Sequence, residues 1–385
     1  MSRRQLIERI VRELASYERP SASEGERRAA LWLAEELRDA GCRDVRVEQE
    51  RAHGGYWWPL GLLNAGSALA ARLGRVPAAL AGALVSAAVY DDVSGGKLWF
   101  RSRTLPQRPT WNVVAELGAP DARRTVVFMA HHDAAHSGLV FHPALPRAGM
   151  RLFPKLHDRA NQSVPIIFGT FLGPVFLALW GLFGGRWLKR CGLFFSLGAG
   201  AVMANIAASR VVPGANDNLS AVGVLAALAH ELSGSPPDGV RVILLSTGSE
   251  EGFMEGMQAF GRRHFAELDR RTTEFVCLEC VGSPYLCVVE AEGMLRMRYY
   301  TPSSREALAR AGAAAGVELA RGLRTVAATD ALIPLRAGYN SCTLGGVDET
   351  KFPREYHWPS DTPDNLDWSS IEGAVEVCLR YLDGS

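Results

Sequence analysis

The sequence has no surplus of charge of either sign and no cysteine framework. Its 42 lysines and arginines balance 41 aspartates and glutamates, for a formal net charge of +1. Nucleic-acid-binding domains normally carry a clear basic excess, so we expect no nucleic-acid partner. The seven cysteines are odd in number and scattered, unlike those of a disulfide-linked scaffold. We therefore expect the thiols, including those of the CLEC run at 277–280, to serve packing.

The chain also lacks an internal repeat, a low-complexity tail and an opening segment of secretory type. Residues 1–17, MSRRQLIERIVRELASY, carry charges throughout and have the spacing of an amphipathic helix. Long apolar runs lie further in, as two pairs that are each joined by a short basic tip. They are residues 54–71 and 76–90 around the tip RLGR, and residues 164–185 and 191–209 around the tip RWLKR.

These paired runs predict helical hairpins that cross a membrane. Twenty-two helical residues span roughly 33 Å, about the thickness of a bilayer core. The two tips contain only basic charges, and short basic loops tend to remain in the cytoplasm. We expect a multi-pass integral membrane protein in contact with the lipid bilayer, with the rest of the chain outside the cytoplasm.

Outside the hairpins, predicted strands alternate with predicted helices. Runs such as RTVVFMA and GVRVILLST indicate buried strands, and LSAVGVLAALAHELS has helical spacing with Asn218 as its cap. Ser23 with Glu26, and Ser369 with Glu372, form predicted capping boxes. The alternation predicts an α/β fold with a layered, mostly parallel sheet.

We expect the hairpins to interrupt this α/β domain twice. Residues 1–53, 91–138 and 213–385 are assigned to the domain. Residues 54–90 form the first hairpin, and residues 139–212 form an insertion that contains the second.

Acidic and imidazole groups stand at the predicted strand ends. They are His131, Asp133, Asp217, Glu250, Glu251, Glu279 and His357. In α/β sheets the chemistry gathers beyond the carboxyl ends of the strands. Burying these groups without compensation would be costly, and a shared divalent metal explains them most simply. Mixed histidine and carboxylate ligands suit Zn²⁺, with Mn²⁺ or Co²⁺ as substitutes.

Five motifs carry a resemblance to a known family. In chain order they are HHDAAHSG, PGANDNLSAVGVL, STGSEEGFMEGMQAF, ECVG and YHWPSDTPDNL. Together they resemble the M28 family of di-zinc aminopeptidases and carboxypeptidases, and SASEGERRAALWLAEELRDAGC is similar to that family's opening helix. The resemblance implies a three-layer α/β/α zinc-peptidase fold with a mostly parallel, mixed central sheet and two Zn²⁺ per chain.

The resemblance also implies the metal ligands. His131 and Glu279 would bind one ion, Glu251 and His357 the other, and Asp217 would bridge both. The peptide bond after Asp217 would be cis. Glu279 is a departure, because the family usually has aspartate there and glutamate reaches one methylene further.

By the same resemblance Glu250 is the general base, and Asp133 orients the imidazole of His131. Adjacent glutamates can divide these tasks because neighbouring residues that leave a strand point in different directions. Glu250 would take a proton from the attacking water and return it to the leaving amine. Gly248 and Gly252 would give this loop its backbone freedom.

Two further polar residues are given smaller roles, and two histidines are given none. Asp330 is placed behind the ligands, and Tyr356 is a candidate donor to the oxyanion. His132 is expected to point away from the site, and His53 shows no partner pattern.

The expected activity is metal-dependent hydrolysis of peptide bonds, as an aminopeptidase acting on a peptide with a free N-terminus. Carboxypeptidase or glutaminyl-cyclase activity in the same fold is an alternative, and so is a non-catalytic membrane scaffold or receptor. Cyclases typically keep one zinc and scaffold relatives lose ligands, whereas this sequence has a candidate at every ligand position.

Overall fold

A nine-stranded mixed sheet forms the centre of the protein in a computed structural model that describes residues 1–159, 161–162 and 167–384. The strands are β1 (Arg43–Ala52), β2 (Arg108–Gly118), β3 (Arg124–His131), β4 (Val240–Thr247), β5 (Thr273–Glu279), β6 (Tyr285–Glu292), β7 (Arg298–Tyr299), β8 (Ala320–Thr325) and β9 (Asn340–Val347). Their order is β1-β2-β4-β3-β5-β9-β6-β7, with β8 beside β6. Strands β4, β3, β5 and β9 run parallel, and antiparallel strands flank them.

Helices cover both faces of this sheet. They are α1 (Arg3–Ala15), α2 (Glu24–Asp39), α3 (Trp57–Ala70), α4 (Arg75–Val93), α5 (Arg101–Thr104), α6 (Ala144–Leu152), α7 (Pro154–Arg159), α8 (Phe168–Phe183), α9 (Arg186–Ala208), α10 (Ser220–Gly234), α11 (Glu255–His264), α12 (Pro302–Ala314), α13 (Leu332–Arg336) and α14 (Trp368–Leu382). Helices α1, α2, α10, α12 and α14 pack on one face. Helices α11 and α13, with parts of α3, α4 and α9, pack on the other.

Alternate side chains of the central strands supply two separate cores. Val126 and Phe128 of β3 face one helical layer, while Val127 and Met129 face the other. All four are buried. The predicted three-layer α/β/α fold with a mixed sheet is therefore confirmed.

The two predicted hairpins form helix pairs α3–α4 and α8–α9, which pack together as a four-helix bundle. Glycines stand where the helices approach most closely. A Cβ added to Gly82 of α4 would lie 2.6 Å from the carbonyl oxygen of Pro174 in α8. Buried Asn64 of α3 donates a hydrogen bond to the carbonyl of Thr170 in α8. Small residues and inter-helical hydrogen bonds of this kind are typical of helix packing in membranes.

The outer surface of this bundle is apolar. Leu80, Phe183 and Phe194 are 69%, 75% and 74% exposed. Among the described helices, α4 and α9 are long and apolar enough to cross a membrane, judged by length and composition, and α8 is a shorter apolar helix. The first residues of the run predicted at 164–185 lie outside the described part of the chain.

A narrow neck joins the second hairpin to the sheet domain. The N–H of Ser137 donates to the carbonyl of Arg210, and the N–H of Val212 donates to the carbonyl of Ala135. These bonds form an antiparallel bridge across the two ends of the insertion. The insertion therefore leaves the sheet domain and returns to it at one place, so the strands and loops on either side of it stay together.

Two predicted helix caps are wrong. Helix α14 begins one residue before Ser369, and Asp367 caps it by accepting from the N–H of Ser370. Asn218 does not cap α10, because its side chain instead accepts from the N–H of Cys280. The second correction arises from a contact 62 residues away in the sequence, whereas the first shifts the cap by two residues within the same local segment.

Candidate active site

The residues predicted as ligands meet at one edge of the sheet. His131 is the last residue of β3, Glu279 is the last of β5, and Glu251 follows β4 by a short turn. These three strands are adjacent and parallel, so their carboxyl ends lie together. Asp217 arrives from the turn before α10, and His357 from the loop after β9. The structure thus brings all five side chains into one cluster, while their roles stay predictions.

Asp217 lies between two histidines. The Nε2 atom of His131 is 3.1 Å from Oδ1 of Asp217, and Nε2 of His357 is 3.2 Å from Oδ2. On the first side, Glu279 Oε1 lies 3.7 Å from the same atom of His131. On the second side, Glu251 Oε1 lies 3.2 Å from that of His357. Two groups of three donors therefore share one carboxylate, and the peptide bond from Asp217 to Asn218 is cis.

The donor atoms are better arranged to bind divalent metals than to form hydrogen bonds with one another. Oδ2 of Asp217 and Oε1 of Glu251 are buried and accept no hydrogen bond, although His357 lies close to both. Buried carboxylate oxygens nearly always have a partner. One nitrogen and two carboxylates on each side form a donor set suited to Zn²⁺. The residues present thus fit a pair of zinc ions.

The pKa shifts indicate that the buried carboxylates of the cluster require positive charge close to them. Burial alone would raise the pKa of Asp217, but the neighbouring imidazoles of His131 and His357 outweigh it and lower the pKa. Burial alone would lower the pKa of His357, but Glu251 and Asp217 raise it to about 10. Burial raises the pKa of Glu251 and of Glu279. Protonated imidazoles, or protonation of the carboxyl groups themselves, would offset this buried negative charge when no ion is bound.

Glu250 differs from its neighbour in what its side chain faces. It lines the cavity beside the cluster. Burial, followed by the nearby charges of Asp330 and Glu251, raises the pKa of Glu250 well above its usual value, against an opposing effect of His131. A carboxyl group with a raised pKa beside a cavity has the properties of a proton acceptor that can later act as a donor.

Asp133 fixes the loop that carries both glutamates. Its Oδ1 accepts from the N–H of Glu250 at 3.1 Å, and its Oδ2 accepts from the N–H of Glu251 at 3.2 Å. Oδ1 is also 3.4 Å from Nδ1 of His131, and Ser21 donates to Oδ2 at 2.6 Å. One carboxylate therefore orients an imidazole and two neighbouring backbone groups.

Glu26 holds the same loop, a role that the sequence did not reveal. Its fully buried carboxylate accepts from the N–H and Oγ of Ser249 and from Oγ1 of Thr110. It also accepts from the N–H of Ala22, so it does not complete the predicted capping box with Ser23. An acid three residues after a serine is the usual signature of that box, and this signature concealed the longer-range role.

The glycines of this loop leave room for neighbouring atoms and do not supply unusual backbone angles. Left-handed φ angles fall on Ser249, Phe253 and Met254, whereas Gly248 and Gly252 have no positive φ. A Cβ added at Gly248 would lie 2.6 Å from Oε1 of the buried Glu26. The prediction that these glycines supply unusual backbone conformations is therefore wrong.

Asp361 and Arg19 hold the turn that carries Asp217. Asp361 accepts from the N–H of Asp217 at 3.1 Å and from that of the residue before it at 2.6 Å. The buried Arg19 donates to the carbonyls of Pro213 and Gly214, and burial lowers its pKa to about 10. Asp361 stands in a motif noted in the sequence, but no local pattern pointed to Arg19.

The smaller predictions have mixed outcomes. His132 points away from the cluster, toward Oγ of Ser246. Thr247, at the end of β4, donates to Asp330. The ring of Tyr356 stacks on His357 with centroids 3.8 Å apart. His53 does have a partner, because its Nδ1 lies 2.5 Å from Oε1 of Glu255.

The cluster opens onto a cavity of about 320 Å³. Glu250, Glu251 and His357 line one end, together with Tyr56 and Phe253. Apolar residues of α9 and the first turn of α8 also line it. The volume lies at the lower end of the range typical of small-molecule sites.

One protein-family model matches part of this chain. The model of Peptidase family M28 matches residues 201–382. The match includes every residue predicted for the site except His131 and Asp133, which lie before it. No curated protein matches the sequence.

Solved structures share the fold over nearly the whole chain. A glutaminyl cyclase from Bacteroides thetaiotaomicron is 13% identical, covers 99% of this chain and 98% of its own, and has a TM-score of 0.60. A leucine aminopeptidase precursor from the same organism is 13% identical, with coverages of 99% and 97% and a TM-score of 0.57. A zinc aminopeptidase from Bacillus subtilis is 14% identical, with coverages of 99% and 95% and a TM-score of 0.56. At these identities the likeness shows a common fold.

Proposed function

We propose that the protein belongs to peptidase family M28, whose model matches residues 201–382, and that it is a zinc-dependent aminopeptidase with two metal sites. The observation that carries the proposal is the sharing of Asp217 by two donor groups, one with His131 and one with His357. Such an arrangement suits a pair of metal ions that act together on one substrate.

In this proposal His131, Asp217 and Glu279 hold one zinc, and Asp217, Glu251 and His357 hold the other. Zinc ions in such sites polarise the scissile carbonyl and lower the pKa of water.

The proton transfers belong to Glu250, which lines the cavity beside the ligands. It accepts the proton of the attacking water and passes it to the departing amine. Asp133 keeps Glu250 in place through the hydrogen bond to its N–H. Tyr356, stacked on His357, donates a hydrogen bond to the oxyanion.

Glutaminyl-cyclase activity is the second candidate, supported by the solved cyclases that share the fold. In such a reaction the substrate's own amine replaces water as nucleophile. The two candidates differ in what they need, since cyclisation requires an N-terminal glutamine and hydrolysis of a p-nitroanilide does not.

Metal analysis and a substrate panel test the proposal together. We expect about two equivalents of zinc per chain and chelator-sensitive hydrolysis of amino-acid p-nitroanilides, with N-blocked peptides left intact. One equivalent of zinc with conversion of glutaminyl peptides alone would favour the cyclase. A metal-free protein with no activity after addition of zinc would refute both.

We also propose that the bundle of α3, α4, α8 and α9 is embedded in a bilayer, with the sheet domain outside the cytoplasm. The apolar outer surface of the bundle and the basic residues of both hairpin tips support this arrangement. The active site then lies close to the membrane surface, because the second hairpin leaves the domain soon after His131 and returns shortly before Asp217.

A further inference from the structure

The cavity beside the cluster continues for a long way along α9. Phe194, Gly198, Val202 and Ile206 all line it, and their spacing of four residues places them on one face of the helix. From Phe194 to Ile206 this face extends roughly 18 Å. A single amino-acid side chain cannot occupy such a length.

The chemistry of this wall selects the kind of chain that could fill it. Residues 194–206 read FFSLGAGAVMANI and contain no charged residue. Backbone amides of an ordinary polar peptide would find few partners there, and unpaired buried amides are unfavourable. A hydrocarbon chain needs no partner, and each buried methylene favours binding by up to about fourfold.

The direction of the reaction decides which part of the substrate lies in the cavity. An aminopeptidase releases one residue from the acyl side of the scissile bond, so only the leaving-group side can be long. We infer that the enzyme acts on amphiphilic amides whose leaving amine carries a long apolar chain, bound along α9. This inference rests on the proposed aminopeptidase function and adds the class of substrate.

The exposure of the far end suggests how such a chain arrives. Phe194 is 74% exposed on the apolar surface of the bundle, while Ile206 is buried and lies against Gly138, in the loop that follows the strand ending at His131. In a bilayer, this end would face lipid. An amphiphile could keep its apolar chain in the membrane while its amide reaches the ligands.

Two glycines of α9 provide a matched pair of variants. A Cβ on Gly198 would meet no atom within 4 Å, and Gly198 lines the cavity. Gly200 has equally open surroundings but does not line the cavity, because it lies about 200° further around the helix. Gly198→Leu should therefore fill the apolar channel, whereas Gly200→Leu adds the same side chain on another face.

The test uses leucyl n-alkylamides from ethyl to octyl, at concentrations where each is monomeric. We expect wild-type kcat/KM to rise at least about tenfold along the series. Gly198→Leu should abolish the rise, and Gly200→Leu should retain both the rise and the wild-type activity on the ethylamide. A flat wild-type series, or equal behaviour of the two variants, would overturn the inference, while hydrolysis of the ethylamide would leave the aminopeptidase proposal standing.

Binding of n-octylamine, the product of the longest substrate, tests the cavity without turnover. Calorimetry should show binding to wild type and Gly200→Leu, and at least tenfold weaker binding to Gly198→Leu. Equal affinities for the three proteins would refute the apolar channel, even if every substrate were hydrolysed. Loss of all turnover with this binding pattern intact would refute the proposed function alone.

Discussion

Two adjacent glutamates have different surroundings although they leave the same strand. Glu251 lies beside His357 and Asp217, whereas Glu250 lines the cavity. Their N–H groups donate to the two oxygens of Asp133, so one carboxylate sets both positions. A single side chain could not occupy both positions in this geometry.

Substitution of each glutamate separates the two proposed roles. Glu250→Gln should keep its zinc and lose about 10²–10⁴-fold in kcat, because only proton transfer is removed. Glu251→Gln should lose close to one equivalent of zinc, because a donor to one site is weakened. Metal analysis and kcat of both proteins measure this, with the exposed Glu24→Gln as control. Equal loss of zinc in both variants would contradict the division of roles.

The sequence predicted the clustered residues better than the groups that support them. Motifs at strand ends are visible because a parallel sheet gathers those ends at one edge. Glu26 lies more than a hundred residues before the loop that it supports. Its role depends on how α2 packs against the sheet, and no local pattern encodes such a contact.

At the scale of helices, the bundle depends on glycines at a few crossing points. Gly82 of α4 and Gly181 of α8 each leave no room for a Cβ against the facing helix. Gly66 of α3 has no atom within 4 Å of an added Cβ. Close packing thus constrains some glycines of the hairpins and not others.

This contrast yields a stability prediction. Gly82→Ala should destabilise the protein by about 1–3 kcal/mol, because its Cβ would force α4 and α8 apart. Gly66→Ala should be neutral or slightly stabilising, since alanine favours the helix and meets nothing. Thermal unfolding of the purified proteins in one detergent compares them. A Gly82→Ala protein as stable as wild type would show that the two helices do not pack this closely.

The ends of the hairpin helices were less predictable than their apolar middles. The second run of the first hairpin, residues 76–90, was expected to end at Tyr90, but α4 continues to Val93. Asp92 extends the helix because its buried carboxylate pairs with Arg101 at 3.1 Å. Arg101 also donates to the carbonyl of Gly252, directly after the paired glutamates. Asp92 was expected to lie beyond the apolar helix. Through its pairing with Arg101 it instead links the bundle to the loop that carries the paired glutamates.

At the scale of the whole molecule, cell fractionation tests the membrane arrangement. We expect the full-length protein to remain in the membrane pellet after carbonate and high salt, because an embedded bundle is not released by charge screening. Protease added to spheroplasts should digest the sheet domain if it lies outside the cytoplasm. Release by carbonate would refute integration, and a protected sheet domain would reverse the orientation.

The placement of the second hairpin also fixes an order of events during synthesis. His131 and Asp217 are 86 residues apart, and the whole of this hairpin is made between them. At typical translation rates the interval is about 4–17 s. A helical hairpin can reach the membrane in that time, before both donors to the first zinc have left the ribosome. In the proposed arrangement, membrane targeting would therefore precede metal loading, and a newly made chain would reach the bilayer as an inactive apoprotein.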